Sequence, residues 1–178
     1  MKRWAALLKG VNVGGNRKLP MADLKAFLEG LGLTDVKTLL ASGNVVFSAK
    51  ESDAAALEAR IEKAAAEQIG LTTEFLLRDA ADLDRVIAAN PFAQAAADHP
   101  NHLLVAFHRD AFPAGLAEAA MQLNEGPERL HAIGRELYID YPEDIGHSTL
   151  HKAMAKLKFP KVATARNWNT VGKLRALL

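Results

Sequence analysis

The sequence contains no cysteine, and none of its apolar runs approaches the length of a membrane span. The absence of cysteine excludes disulfides, thiol nucleophiles and thiolate metal sites, and it fits a reducing compartment. The first apolar run, WAALL at residues 4–8, is too short for the core of a signal peptide. We therefore expect a cytoplasmic protein that makes no membrane contact.

Acidic residues are missing from both ends of the chain. Residues 1–22 carry five Lys or Arg and residues 145–178 carry seven, with no Asp or Glu in either segment. Residues 79–144 carry twelve acids against four arginines. This asymmetry predicts a surface for an anionic partner. The alternative is that the cationic ends pack against the acidic middle.

The chain is long enough for one large domain or two small ones, with 178 residues of which 49% are hydrophobic and 24% charged. Apolar periodicity predicts β-α-β-β-α-β over residues 1–78. The predicted elements are a strand at 3–9, a helix at 21–31, strands at 35–41 and 44–49, a helix at 53–69 and a strand at 72–78. This order predicts a ferredoxin-like subdomain of the α+β class, with an antiparallel four-stranded sheet and both helices on one face.

Residues 79–178 predict a second, smaller α+β subdomain that ends in basic helices. Its pattern is β-α-β-β-α, with a hairpin near Gly134, an amphipathic helix at 148–158 and a last helix from about 166 to 178. A helix therefore stands where a fourth strand would be expected. The stretch FAQAAADHPN, residues 92–101, is expected to be a flexible connection.

The segment KGVNVGGNRKLP, Lys9–Pro20, is the first candidate site. A glycine-rich turn between a strand and a helix can direct backbone N–H groups at an anion, and Gly14 and Gly15 would allow close approach. The side chains that could donate to an anion are those of Lys9, Asn12, Asn16, Arg17 and Lys18. The segment is neither a Walker A loop nor a dinucleotide fingerprint. The alternative is a long loop that needs positive φ at Gly14 or Gly15.

The tripeptide SGN, Ser42 to Asn44, is typical of a hairpin turn. In the predicted sheet the first and third strands are the adjacent central pair. Because they are antiparallel, the segment after strand one and the turn before strand three lie at the same end. We therefore predict that residues 12–18 meet Ser42 and Asn44.

The block ARNWNT, residues 166–170 with the preceding alanine, combines a cation with poor helix-interior residues. We expect it at the start of the last helix, where Arg166 and Asn167 would be ligand or cap residues and Lys173 would add charge. Trp168 is expected to anchor that helix, the alternative being a stack on a base.

The sequence predicts no metal site and no cofactor. His147 and His151 have the i, i+4 spacing of zinc ligands, but no third ligand or HExxH motif accompanies them. No GxSxG elbow, triad or paired acids indicate catalysis, so the sequence leaves enzymatic activity undecided.

Three blocks resemble the uncharacterised family called domain of unknown function 1697. They are LLKGVNVGG, KLPMADLKAFLEGLGLTDVKTLLASGNVVF and TARNWNTVGKLRAL. The resemblance implies a two-part α+β fold with a ferredoxin-like N-terminal half, and it implies no activity.

The function that these features favour is binding of an anionic, phosphate-bearing ligand, a nucleotide or nucleic acid, through the basic terminal segments. One alternative is a small enzyme acting on a phosphorylated substrate, with Lys9, Arg17, Arg166 and Lys173 stabilising charge. Another is a protein-interaction module whose charged ends dock an acidic partner or form a homodimer.

Overall fold

The structure, a computed structural model, describes residues 1–12 and 18–178. The chain divides into two compact units. The first comprises Met1–Asp84 with Lys173–Leu178, and the second comprises Arg85–Gly172. Both are mixtures of helices and antiparallel strands, so the predicted α+β class is confirmed.

In the described part of the first unit, four strands and two helices follow one another in the order β-α-β-β-α-β, and parts of two further helices, given below, also belong to it. The four strands and two helices are β1 (Lys2–Leu8), α1 (Met21–Gly30), β2 (Thr34–Leu39), β3 (Asn44–Ala49), α2 (Ala54–Ile69) and β4 (Phe75–Arg78). The strand order in the sheet is β2-β3-β1-β4, with every pair antiparallel. The predicted central pairing of the first and third strands is present, with Trp4 opposite Phe47.

The two helices of the first unit begin and end where their local chemistry requires. Pro20 precedes α1, which buries Leu24, Phe27 and Leu28. Asp53 caps α2 by accepting from the N–H groups of Ala55 and Ala56 at 2.9 and 3.3 Å. Gly70 ends α2 with φ 63°, a value that glycine adopts without strain. The buried face of α1 joins Ile61 and Leu57 of α2 in one core over the sheet.

The second unit repeats the same order of elements. They are β5 (Leu103–His108), α5 (Leu116–Leu123), β6 (Arg129–Ile133), β7 (Glu136–Asp140), α6 (Leu150–Ala155) and β8 (Ala163–Asn167). The strand order is β6-β7-β5-β8, again antiparallel throughout. Its core includes Leu130, Leu137 and Leu150.

Two predictions for this half of the chain were wrong. Residues 163–167 form a fourth strand that pairs with β5, so the last helix begins at Trp168 and not near 166. The stretch expected to be a flexible connection contains α4 (Ala93–Asp98) and a 3₁₀ helix (Pro100–His102). Alanine has the highest helix propensity of any residue, and burial of Ala95 holds the short helix α4 in place.

Two further helices contain the positions at which the chain passes from one unit to the other. They are α3 (Ala80–Ala88) and α7 (Trp168–Ala176). Across residues 1–12 and 18–178, every helix is too short or too polar to span a bilayer.

Candidate functional site

The side chain of Asn12 closes the base of the segment that follows β1. Its Nδ2 donates to the carbonyl oxygens of Leu19 at 2.8 Å and Ala41 at 2.6 Å. Its Oδ1 accepts from the N–H of Leu19 at 2.7 Å. Asn12 has φ 54°, in the left-handed region that asparagine tolerates better than most residues. One side-chain amide therefore joins both ends of the segment to each other and to the turn after β2.

The turn between β2 and β3 packs against the same segment. Gly43 has φ +90°, and a Cβ at this position would lie 2.5 Å from Cγ2 of Val11 and 2.9 Å from Cβ of Leu8. The N–H of Leu8 donates to the Gly43 carbonyl at 2.9 Å. Among the described residues, the contacts between the two segments are those of Val11 with Gly43 and of Asn12 with Ala41, next to the positions predicted to meet.

Ser42 and Asn44 form a polar pair at the start of β3. Asn44 is fully buried, and its Nδ2 donates to Ser42 Oγ at 3.1 Å. A buried amide in this position fixes the turn from within, since unsatisfied buried polar groups are costly.

In the sequence, Lys9 precedes Asn12 and Lys18 follows it. The N–H of Lys9 donates to the Glu74 carbonyl at 3.2 Å, and its own carbonyl accepts from Thr73 Oγ1. Lys18 is exposed and lines an open cleft of about 320 Å³ beside the end of α2. The predicted site residues Gly14, Gly15, Asn16 and Arg17 lie outside the described residues.

Arg166 lies in β8. The prediction that it stands at the start of the last helix was wrong. The Nη1 of Arg166 donates to Thr164 Oγ1 at 2.6 Å and to the Ala165 carbonyl at 2.8 Å. Burial lowers the pKa of the Arg166 guanidinium to about 10. Thr164 and Ala165, which precede Arg166 in β8, thus provide hydrogen-bond acceptors for its buried guanidinium.

Asn167 ends β8 immediately before α7, and Lys173 lies within α7. The Oδ1 of Asn167 accepts from the N–H of Thr170 at 3.0 Å and so caps the helix. Lys173 is exposed. Because Lys173 falls in the first unit while Arg166 and Asn167 fall in the second, the predicted site residues are divided between the two units.

One cation from each end of the chain forms an ion pair with an acid near the start of the acidic middle segment, residues 79–144. Lys2 Nζ lies 2.8 Å from Asp79, and Arg175 Nε lies 2.6 Å from Asp84. Burial alone would raise the pKa of Asp79, but the hydrogen bond and charge of Lys2 help to hold it below its usual value. The Arg175 hydrogen bond lowers the pKa of Asp84. For Lys2 and Arg175, these ion pairs favour the alternative in which the cationic ends pack against the acidic middle.

A second polar feature is a cavity of about 150 Å³ within the second unit. The side chains that line it and carry chemistry are Glu128, Tyr141, Glu143, Asp144, His147 and Ser148. Ser148 Oγ donates to Glu128 Oε1 at 2.5 Å, and His147 Nδ1 contacts Asp144 Oδ2. The His147 contact, helped by the Gly146 N–H, lowers the pKa of Asp144. Burial and the Glu128 charge raise the pKa of Tyr141.

Sequence reasoning did not single out this cavity. Glu128 and Ser148 are separated by 20 positions, and their contact depends on the pairing of β6 with β7 and the return of the chain into α6. The one feature of the local sequence that points to this cavity is the three-residue spacing of Asp144 and His147. Within the described ranges, no group of three His, Asp or Glu side chains is placed to hold a metal ion.

The chain belongs to a family described as "Protein of unknown function (DUF1697)", whose model matches residues 1–138. A solved structure with the same fold is that of the conserved bacterial protein SP0830 from Streptococcus pneumoniae. It aligns with a TM-score of 0.78 at 25% identity, covering 99% of this chain and 98% of that chain. No curated protein matches the chain. The neighbour supports the fold, and neither comparison indicates an activity.

Proposed function

We propose that the protein binds an anionic, phosphate-bearing ligand, a nucleotide or a nucleic acid, at the segment after β1. The observation that carries the proposal is the Asn12 amide, which fixes both ends of this segment against the β2–β3 turn. Fixing both ends of a segment leaves it fewer conformations, so less entropy is lost when a ligand binds.

The charge of the segment supports an anion as the ligand. Residues 1–22 contain no acid, and Lys9 and Lys18 stand on either side of Asn12 in the sequence. Lys2 belongs to an ion pair with Asp79, so it is not the source of this charge. Glycines at 14 and 15, with Asn16 and Arg17, complete the composition of an anion-binding segment.

The structure favours a narrower set of contact residues than the sequence alone. Arg166 is buried in β8 and Asn167 caps α7, so both have roles in the second unit that need no ligand. The proposed ligand contacts are therefore Lys9, the residues 14–18 and Ser42, while the buried Asn44 supports Ser42 and Asn12 joins the two ends of the segment.

Thermal unfolding at low salt tests the proposal. The probes are inorganic phosphate, tripolyphosphate, mono- and trinucleotides, dinucleotide cofactors, and short single-stranded RNA and DNA. A ligand at a hundred times its dissociation constant adds about 2.7 kcal/mol to the free energy of unfolding, which is seen as a rise in Tm. We expect at least one phosphate-bearing probe to raise Tm, and we expect the Arg17→Ala, Lys18→Ala double variant to abolish that rise.

The matched control is the Lys25→Ala, Lys63→Ala double variant. It removes two exposed cations whose helix partners lie 3.9 and 4.0 Å away, so it changes net charge equally without touching the segment. A rise in Tm that survives in the first variant, or that is lost in both, contradicts the proposal. Turnover of the bound probe would favour the enzyme alternative, and salt-insensitive self-association with no response to any probe would favour an interaction module.

A further inference from the structure

We propose that the protein forms a symmetric dimer in which strand β6 (Arg129–Ile133) pairs antiparallel with β6 of a second copy. The proposal concerns the second unit and does not depend on the function proposed for the segment after β1. In its sheet β6 pairs with β7 alone among the described strands, so its other side is an open edge. Such an edge presents backbone N–H and C=O groups with which another strand can pair.

Two residues of β6 direct their backbone groups toward the open edge. The N–H of Leu130 donates to Sδ of Met121 in α5 at 3.2 Å, so it points away from β7. Ladder bonds alternate along an antiparallel strand, so Ala132, two positions on, has the same orientation. A thioether is a weak acceptor, and among the described residues the Ala132 N–H has no partner outside the sheet. A backbone carbonyl from a second strand would be a better acceptor for both groups.

Strand β6 lacks the features by which edge strands avoid such pairing. Its five residues pair with β7 in continuous register, without a bulge. The strand contains neither proline nor lysine. By contrast β2, an edge strand of the first sheet, has a register irregularity between Thr34 and Lys37 and an exposed lysine. Edges that remain unpaired are ordinarily protected by such features, so β6 is the edge suited to pairing.

Exposed apolar side chains lie close to this edge. Among the described residues, six large hydrophobic side chains are exposed, and three of them, Met121, Leu123 and Ile133, lie in α5 and β6. Helix α5 lies against β6, since its Ala120 shares a hydrophobic core with Leu130. A group of exposed apolar side chains beside an open strand marks a protein interaction surface.

Hydrogen-bond geometry selects one register for two copies of β6. For the edge groups to bond, Leu130 must lie opposite Ala132 of the second copy, and this places His131 on the twofold axis. In this register all five residues of each strand are paired. A shift by two residues in either direction leaves part of each strand unpaired. The strand is thus self-complementary, as the interface of a symmetric dimer must be.

The side chains of β6 fit this register, which favours a second copy as the occupant of the edge. Arg129 lies opposite Ile133 of the second copy, and its methylenes can pack against that side chain. The charge of Arg129 is balanced by Asp140, to which its Nη2 donates at 2.8 Å. On the helix side the small Ala132 leaves room for Met121 of the second copy. The pairing therefore covers apolar side chains and brings no uncompensated charge to the edge.

Sedimentation velocity of the full-length protein tests the proposal. We would record it from about 1 μM to about 1 mM at pH 8, because pairing of one short strand gives a weak dimer. We expect the mean mass to rise with concentration toward that of a dimer. Ala132→Pro removes an outward N–H and leaves the ladder with β7 intact, so it should weaken self-association at least about tenfold. Circular dichroism and Tm establish that the variant is folded.

A charge exchange at His131 tests the register. His131→Asp and His131→Lys each place like charges opposite one another, so each should weaken self-association about two- to fivefold. An equimolar mixture of the two variants places Asp opposite Lys, and it should associate more tightly than either variant alone. Lys37→Asp is the matched control, since it changes an exposed residue of the β2 edge, and it should behave as the wild type does.

The proposal is overturned if the wild type stays monomeric up to about 1 mM, a result that would leave the β6 edge to a strand of a different protein. A dimer that Ala132→Pro and both His131 variants leave unchanged uses another surface and equally overturns it. A mixture that associates no better than its components contradicts the position of His131 on the axis. Should Ala132→Pro fail to fold, the His131 variants and their mixture decide the question.

Discussion

At the scale of single residues, Asn12 and Gly43 fix the chain at the end of β1 by different means. Asn12 acts through three side-chain hydrogen bonds, and Gly43 acts by having no side chain where Val11 and Leu8 come close. Asparagine and glycine in this region were visible in the sequence. The sequence did not show which of the two residues fixes the chain by hydrogen bonds. The partners of Asn12 at Leu19 and Ala41 are brought close by the pairing of β1 with β3.

Gly43→Ala should be far more destabilising than a glycine substitution made in open space. The new Cβ meets Val11 and Leu8 and also takes a strained positive φ, so we expect the free energy of unfolding to fall by about 2–4 kcal/mol. Gly70→Ala is the matched control, since Gly70 has φ +63° and no atom within 4 Å of the new Cβ. It should lose about 1 kcal/mol. Equal losses in urea unfolding would show that the turn is not packed as described.

At the scale of elements, local pattern predicted the strands and helices whose apolar residues follow one period. The helices α1 and α2 and the pairing of β1 with β3 are of this kind. Strand β8 was missed because its sequence, ATARN, is polar and its buried residue is Arg166. Its pairing with β5, about sixty positions earlier, determines its conformation, and no local pattern reveals that partner.

The end of β8 yields a prediction about α7. If Asn167 is a helix cap, Asn167→Ala should lower the free energy of unfolding by about 0.5–2 kcal/mol, because the N–H of Thr170 loses its acceptor. Asn167→Asp keeps the acceptor and adds a charge that the helix N-terminus favours, so it should be neutral or stabilising. Denaturant unfolding of the two variants distinguishes the roles. Full stability of Asn167→Ala would contradict the cap and restore Asn167 as a candidate for ligand contact.

At the scale of the whole molecule, the sequence showed how charge is distributed along the chain but not which partner each charged side chain has. Lys2 and Arg175 form ion pairs with Asp79 and Asp84, whereas Lys18 is exposed beside an open cleft. The acidic middle includes Glu128, which is 6% exposed and lines a cavity that the sequence did not indicate. Partner choice depends on distances between segments far apart in the chain, and composition does not contain that information.

The most direct test of the proposed function is an amide chemical-shift titration of the labelled protein with tripolyphosphate at low salt. We predict that, among the described residues, the largest shifts fall at 9–12, 18–19 and 41–44, where the Asn12 contacts join the two segments. Shifts confined to other parts of the chain, or none at all, would contradict it. In that case the glycine-rich segment would serve only the architecture of the first unit.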